Sequence, residues 1–214
     1  MKPSVSFIFV FAAFNSSIWG QTSIEAKNLL ESVSKQMEAY HNIQFDFTYV
    51  LNNRMEKITQ ESSGQVTVAK DKYKLNFLDA VQIFDGLSLH TIVPENEEIT
   101  IAQKEEDEEF GINPNKLLQF YREGYDYHWD ISQRVKGRNI QFVKLIPTQE
   151  EDQDILSILI GIDIQSNHIY RLIEVGDNGT TTTLTINKID VNTLLPDDYF
   201  VFKAADYPDY YINN

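Results

Sequence analysis

The sequence contains no cysteine among its 214 residues. Disulfide frameworks, thiol nucleophiles and lipid-modified cysteines are therefore excluded, and the hydrophobic core has to hold the fold together. Basic residues are also scarce, because 18 lysines and arginines stand against 32 aspartates and glutamates, for a formal net charge of −14. Such a chain lacks the basic footprint that nucleic acids and anionic membrane surfaces require, and we expect no nucleic-acid partner.

Recognisable catalytic and metal-binding patterns are missing as well. The four histidines form neither HxH nor HExxH spacing, and the nine glycines include no phosphate-binding loop and no GxSxG elbow. Asp126, His128 and Asp130 share one face of a predicted strand and can bind a cation, but a solvated strand face is the simpler interpretation. The acidic run at residues 105–109 is typical of an exposed loop. We expect no enzyme activity, no metal site and no cofactor.

Apolar runs long enough to span a bilayer, which takes about 20 residues, are absent too. The most apolar stretch lies at the N-terminus, where Lys2 precedes a run over residues 5–14 and then small and polar residues. This pattern is typical of a secretory signal peptide. We expect residues 1–20 to be a signal peptide and residues 21–214 to form one exported domain. The lack of disulfides favours a bacterial periplasm, with secretion beyond it as the alternative.

Alternation of apolar and polar residues is the main feature that is present. In NIQFDFTYVLN, residues 42–52, the odd positions are apolar or aromatic and the even positions are mostly polar. Similar segments recur along the chain, and Asp85-Gly86 and Asn178-Gly179 are hairpin signals between them. We predict about eleven short, mostly antiparallel strands in a single sheet, which tends to curl at that size.

Two helices are predicted beside these strands. Residues 22–42 carry apolar residues at helical spacing, and Thr22 with Glu25 matches a capping box. A short helix is predicted over residues 114–123, with Pro114 in its first turn and Gly124 at its exit. The fold class is therefore mainly β, of α+β type, with helices that cover an open side of the sheet.

The order of these elements resembles that of the periplasmic outer-membrane lipoprotein carriers, the LolA-like family, over nearly the whole mature chain. Four local matches support the resemblance: a strand with Phe47-Thr48, a glycine-led strand over residues 64–70, a hairpin over residues 85–92, and a Leu195-Pro196 turn before a phenylalanine-rich closing strand over residues 198–203. There are departures. His90 and Ile92 stand where the family has aromatics, and Lys70 is the nearest counterpart of an arginine that hands cargo on.

The resemblance implies a half-open antiparallel barrel with helices as a lid over an apolar cavity. Such a carrier shields the acyl chains of lipoproteins and delivers them to the outer membrane. It implies a monomer whose partners are lipoproteins or other acylated ligands, an inner-membrane donor complex and an outer-membrane acceptor. Alternation and helical spacing then assign the cavity to Phe45, Phe47, Tyr49, Tyr73, Leu75, Phe77 and Ile83, and lid contacts to Leu117, Leu118 and Tyr121.

Two other functions stay open at this point. One is a periplasmic binding protein or sensor for a different amphiphile, such as a glycolipid or a fatty acid. The other is a non-lipid interaction domain with a filled core and an exposed sheet edge. Composition and periodicity do not separate these from a lipoprotein carrier, because an alternating strand faces a filled core or a cavity equally well.

Overall fold

Twelve β-strands make up most of the chain over the residues that the computed structural model describes, which are 18–103, 120–148 and 154–213. The helices there are one α-helix, α1 (Ile18–Glu38), and 3-10 helices at Pro94–Asn96, Phe120–Arg122 and Ala204–Asp206. The strands are β1 (Ile43–Asn53), β2 (Ile58–Ala69), β3 (Lys72–Phe77), β4 (Ala80–Phe84), β5 (Ser88–Val93), β6 (Glu98–Gln103), β7 (Tyr125–Val135), β8 (Arg138–Pro147), β9 (Ile155–Asp163), β10 (His168–Gly176), β11 (Thr180–Val191) and β12 (Tyr211–Asn213).

All twelve strands belong to one open sheet in the order β12-β6-β5-β4-β3-β2-β1-β11-β10-β9-β8-β7. Neighbouring strands are antiparallel, except that β12 runs parallel to β6. β1 lies at the centre and joins two meanders, which we call the N-terminal arm (β2–β6) and the C-terminal arm (β7–β11). The predicted single antiparallel sheet, curved into a half-open barrel, is confirmed. The predicted closing strand over residues 198–203 is wrong, since these residues form turns and irregular backbone. The last strand is instead β12, in a segment where the sequence shows no strand pattern.

The hairpin turns at Asp85-Gly86 and Asn178-Gly179 form where the sequence predicts them. At the β4–β5 hairpin, the Asp85 carboxylate accepts hydrogen bonds from the backbone N–H groups of Leu87 and Ser88, both at 2.8 Å, and Gly86 has φ of 101°. At the β10–β11 hairpin, Gly179 has φ of 77°. Both glycines occupy the left-handed region, which side chains disfavour, so the Asp-Gly and Asn-Gly signals mark these turns for a steric reason.

Helix α1 packs on the sheet through a single stripe of buried side chains. Ala26, Leu30, Val33 and Met37 are buried, and their spacing of four, three and four residues places them on one side of the helix. The helix contacts β7, β10 and the 3-10 helix at Phe120–Arg122. None of the described helices is both long and apolar enough to cross a bilayer.

The helix bounds differ from the prediction. α1 ends at Glu38, and Thr22 lies inside it, so the predicted capping box at its N-terminus is wrong. Because α1 begins at Ile18, the expected signal peptide over residues 1–20 overlaps its first turn, and that boundary stays a prediction. Of the second predicted helix, the described part is the 3-10 helix at Phe120–Arg122. The acidic run at residues 105–109 lies outside the described residues.

The two faces of the sheet carry separate cores. We call the face under α1 the inner face and the opposite one the outer face. The inner core runs without a break from β3 across β1 to β8 and includes the stripe of α1. On the outer face, Ile83, Ile92 and Ile99 of β4–β6 form a second core, covered by Phe202, Tyr207 and Tyr210. A third, smaller cluster of Ile140, Phe142 and Tyr170 lies on the outer face of the C-terminal arm.

The cover of the outer core is the C-terminal tail, residues 192–213. The Tyr199 hydroxyl lies 3.0 Å from the hydroxyl of buried Thr67, and the Phe202 ring stacks on His90 with centroids 4.6 Å apart. The Tyr211 N–H donates to the Glu97 carbonyl at 2.8 Å, where β12 joins β6. Directional hydrogen bonds and strand pairing therefore hold the tail in place.

An apolar interior under helix α1 as the candidate functional site

Six of the seven predicted cavity residues come together in the inner core. Phe45, Phe47, Tyr73 and Leu75 are buried there, and Tyr49 and Phe77 are partly buried against them. The Phe47 and Phe77 ring centroids lie 5.3 Å apart, and those of Tyr49 and Phe77 lie 5.4 Å apart. Such tilted and edge contacts are favourable for aromatic pairs. Their role in binding a ligand stays a prediction.

Gly64 allows this aromatic group to form. It pairs with Phe47 across β1 and β2, and a Cβ atom at Gly64 would lie 2.4 Å from the Phe47 ring. The ring therefore lies directly over the glycine, in space that any side chain would fill. The predicted start of this strand at Gly64 is wrong, because β2 begins at Ile58 and the glycine lies in its middle.

Ile83 does not line this interior. It pairs with Lys74 on β3 and His90 on β5, and so faces outward, while Gln82 pairs with Leu75 and faces inward. Sequence alternation gives two faces for a strand but does not say which of them turns inward after a tight turn. At β3–β4 the turn is two residues long, and the resulting register places Val81 and Ile83 on the outer face and Phe84 on the inner face.

The other wall of the interior comes from the C-terminal arm, and the predicted site omitted it. Its residues are aliphatic and almost fully buried, and they repeat along three strands in the segments NIQFVKLIP, ILSILIGID and HIYRLIEVG. Alternation in these segments was available in the sequence, but it could not show that this arm packs against the same helix as β1. The main members on these strands are Val143, Leu145, Ile158, Ile160, Ile162 and Leu172, and Leu184 of β11 continues the wall.

Tyr121 is the one predicted lid residue that lies among the described residues; Leu117 and Leu118 lie outside them. It is buried in the inner core, and the Ser34 hydroxyl of α1 donates to the Tyr121 oxygen at 3.2 Å. Burial raises the pKa of Tyr121, although the hydrogen bond with Ser34 acts in the opposite direction. The side chain therefore ties the 3-10 helix to α1 above the interior.

A groove of about 310 Å³ follows the seam between α1 and the edge of the sheet. Two of its lining residues, Leu30 and Tyr121, belong to the inner core, so the floor of the groove is the surface of that core. The other lining residues are polar or charged, namely Lys27, Glu31, Ser34, Lys35, Glu38, Arg122 and Tyr127. The volume falls at the lower end of the range typical of small-molecule sites.

Polar contacts close one end of this seam. Arg122 forms an ion pair with Glu38 of α1, and the Tyr127 hydroxyl donates to the Arg122 carbonyl at 2.7 Å. Beyond the end of α1, the Tyr40 hydroxyl lies 2.8 Å from Nε2 of His168. Burial lowers the pKa of His168, which favours the neutral ring, although Asp163 opposes this. The C-terminal end of the helix is thus anchored, and the seam nearer its N-terminal end has fewer such contacts among the described residues.

No family model and no curated protein matches the sequence. Solved structures do match. An uncharacterized conserved protein from Thermus thermophilus has a TM-score of 0.54 at 10% identity, covering 86% of this chain and 96% of that one. A putative outer membrane lipoprotein-sorting protein domain from Vibrio parahaemolyticus has a TM-score of 0.47 at 10% identity, covering 84% and 97%. A LolA superfamily protein from Nitrosomonas europaea has a TM-score of 0.43 at 9% identity, covering 83% and 97%.

At these identities the similarity is one of fold. The match to the Thermus thermophilus protein shows a shared fold, and the lipoprotein-sorting and LolA superfamily structures are similar in fold at lower TM-scores. Fold similarity does not determine what the interior binds, which depends on this chain's own residues.

Proposed function

We propose that this protein is a periplasmic carrier that shields lipoprotein acyl chains in the interior under α1 and delivers them toward the outer membrane. The observation that supports the proposal most directly is the groove between α1 and the edge of the sheet, because its floor is the surface of the inner core. An apolar chain that enters along the seam would meet Leu30 and Tyr121 first, and then the aromatic group around Phe47.

In this mechanism α1 takes the place of the cargo when the carrier is empty. Leu30, Val33 and Met37 are buried under the helix, and each contributes roughly 1.5–3 kcal/mol by burial. An acyl chain contributes about 0.8 kcal/mol for each buried methylene. Displacement of the helix offsets part of that gain, so the net affinity stays low enough for release to an acceptor. No nucleotide motif occurs in the sequence, and this exchange requires none.

The partners follow from the same mechanism. The carrier would receive lipoproteins from an inner-membrane donor complex and pass them to an outer-membrane acceptor, and it would act as a monomer. The acidic chain, with a net charge of −14, would stay away from anionic lipid surfaces between these steps.

The test is displacement of an apolar fluorescent dye by a triacylated lipopeptide. Tyr73→Gln places an amide on the inner face, where Tyr73 is 5% exposed, and we expect it to abolish displacement. Phe47→Asn should do the same. The matched control is Ile92→Thr, which places a polar group in the outer core, 1% exposed, and leaves the interior intact.

Folding of each variant is checked by circular dichroism and urea unfolding before binding is compared. We expect the control to lose stability and keep lipopeptide binding. If folded Tyr73→Gln and Phe47→Asn proteins bind lipopeptide as well as the unchanged protein does, the interior is a filled core and the carrier function is wrong. If another amphiphile displaces the dye and lipopeptide does not, the cargo assignment is wrong.

A further inference from the structure

Glu174 places a carboxylate on a largely apolar inner face. In the described strands β1–β3 and β7–β11, the register places one ionisable carboxylate on this face, at Glu174 of β10. Its cross-strand neighbours are Thr182 on β11 and Ile158 on β9, and Leu172 lies two residues before it on the same strand. Ile158 and Leu172 are buried in the inner core. A carboxylate therefore stands at the border of an apolar interior.

No described residue neutralises this carboxylate, since Glu174 takes part in no hydrogen bond or ion pair with the described part of the chain. The side chain is exposed at the rim of the interior, yet its apolar surroundings raise the pKa of the Glu174 carboxyl by desolvation. The carboxylate is accessible to solvent in the empty protein and contributes nothing to its packing. Contact with a bound ligand would give the Glu174 carboxylate a function.

The position of Glu174 connects it to the seam groove. Tyr127, which lines the groove, pairs with Leu145, and Leu145 pairs with Ile158, which pairs with Glu174. The row spans three strand spacings, or roughly 14 Å at about 4.8 Å each. An acyl chain that lies along this row over Leu145 and Ile158 would have its polar end beside Glu174.

We propose that Glu174 selects the head group of the bound amphiphile, favouring cationic or hydrogen-bond-donating head groups and rejecting anionic ones. This inference rests on the proposed function. The carboxylate accepts charge-assisted hydrogen bonds, which are stronger than neutral ones, and it repels a carboxylate or phosphate at the same place. The ligand class is then an acyl chain with an amine, amide or hydroxyl at its head, and free fatty acids are poor ligands.

The experiment compares three amphiphiles with equal alkyl chains at neutral pH, below their micelle concentrations. Dodecylamine, monododecanoylglycerol and dodecanoate each displace a neutral apolar dye, and their affinities are measured for the full chain. We expect dodecylamine to bind about tenfold or more tightly than dodecanoate, with the neutral glyceride between them. Glu174→Gln should remove most of this preference, and Glu174→Lys should reverse it.

The matched control is Glu61→Gln on β2. It makes the same change of charge on the same sheet, but the register places Glu61 beside Val50 on the outer face. We expect the preference to be unchanged in this variant. If Glu174→Gln and Glu61→Gln alter it equally, net charge explains it and the selection by Glu174 is wrong. Equal affinities in the unchanged protein would also overturn it. Failure of the neutral glyceride to bind would instead contradict the carrier function.

Discussion

The two covers of this sheet are built in different ways. Helix α1 covers the inner face of the C-terminal arm with an aliphatic stripe, and its polar anchors lie toward its C-terminal end. The C-terminal tail covers the outer face of the N-terminal arm with stacked aromatic rings, a buried hydroxyl pair at Thr67 and Tyr199, and strand pairing through β12.

The difference indicates which cover can move. Apolar contacts are non-directional, so a lipid chain can replace the helix stripe, and the polar contacts that the helix would lose are the few side-chain pairs such as Ser34–Tyr121 and Arg122–Glu38. Removing the tail would break the Thr67–Tyr199 contact and the β12–β6 strand pairing, and it would expose the outer core to water. We therefore regard the helix as the exchangeable cover and the tail as a permanent part of the fold.

The largest expected effect comes from removing the tail. A stop after Leu195 exposes Ile83, Ile92 and Ile99, each worth roughly 1.5–3 kcal/mol of burial, so we expect a loss of about 5 kcal/mol or more and little cooperative unfolding. Urea unfolding followed by circular dichroism measures it. Leu194→Ser is the control, because that side chain is fully exposed in the same tail. A truncated protein of unchanged stability would contradict a structural role for the tail.

The second-largest expected effect is a loss of stability when the packing of the inner face is disturbed at Gly64. Gly64→Ala forces a methyl group into the Phe47 ring and should lower the free energy of unfolding by about 1–3 kcal/mol. In a Phe47→Leu background the ring is absent, so the same substitution should cost much less. A double-mutant cycle measures this coupling. Additive effects of the two changes would show that the ring does not occupy the space over Gly64.

Gly161 provides the outer-face counterpart of that test. A Cβ atom there would lie 2.8 Å from the Phe142 ring, so Gly161→Ala should destabilise the protein to a similar degree. Because this contact lies on the outer face, binding of lipopeptide by the folded variant should be unchanged. A parallel loss of lipid binding would show that the two faces are not independent.

The smallest expected effect is a loss of stability at alkaline pH. Burial raises the pKa of Tyr73 to about 12 from an ordinary value of 10.0. The unfolded chain therefore loses this proton first, and stability that is complete below pH 10 declines as the pH rises toward 12. Tyr73→Phe should make the decline shallower, as measured by urea unfolding over that range. The same slope in both proteins would mean that Tyr73 is not buried at the inner face.

Much of the fold could be predicted from the sequence. The alternation in β1, the hairpin signals at Asp85-Gly86 and Asn178-Gly179, and the stripe of α1 each depend on neighbours within a few residues. β12 could not be predicted, because three residues carry no period and the strand exists through its pairing with β6. Alternation alone predicts an inward-facing Ile83, because it does not contain the register that the β3–β4 turn imposes.

The residues of the candidate site also fall into those that the sequence predicts and those that it does not. The aromatic group on β1 and β3 was visible because large rings alternate with polar residues. The wall formed by Leu145, Ile158 and Leu172 was not, since the pairing of the two arms through β1 and β11 depends on contacts more than a hundred residues apart in the chain. Glu174 carries no local signal, and only the register shows that it faces inward.

The most direct test of the exchangeable cover is to lock α1 onto the sheet. The Ser32 and Asn167 side-chain oxygens lie 3.4 Å apart, and the chain has no cysteine of its own. A Ser32→Cys, Asn167→Cys protein can therefore be joined by a short thiol crosslinker at a single place. We expect the protein to bind lipopeptide before crosslinking and to lose that binding by tenfold or more once the helix is fixed. Equal binding in the crosslinked and open forms would contradict the proposal that lipid replaces the helix over the interior.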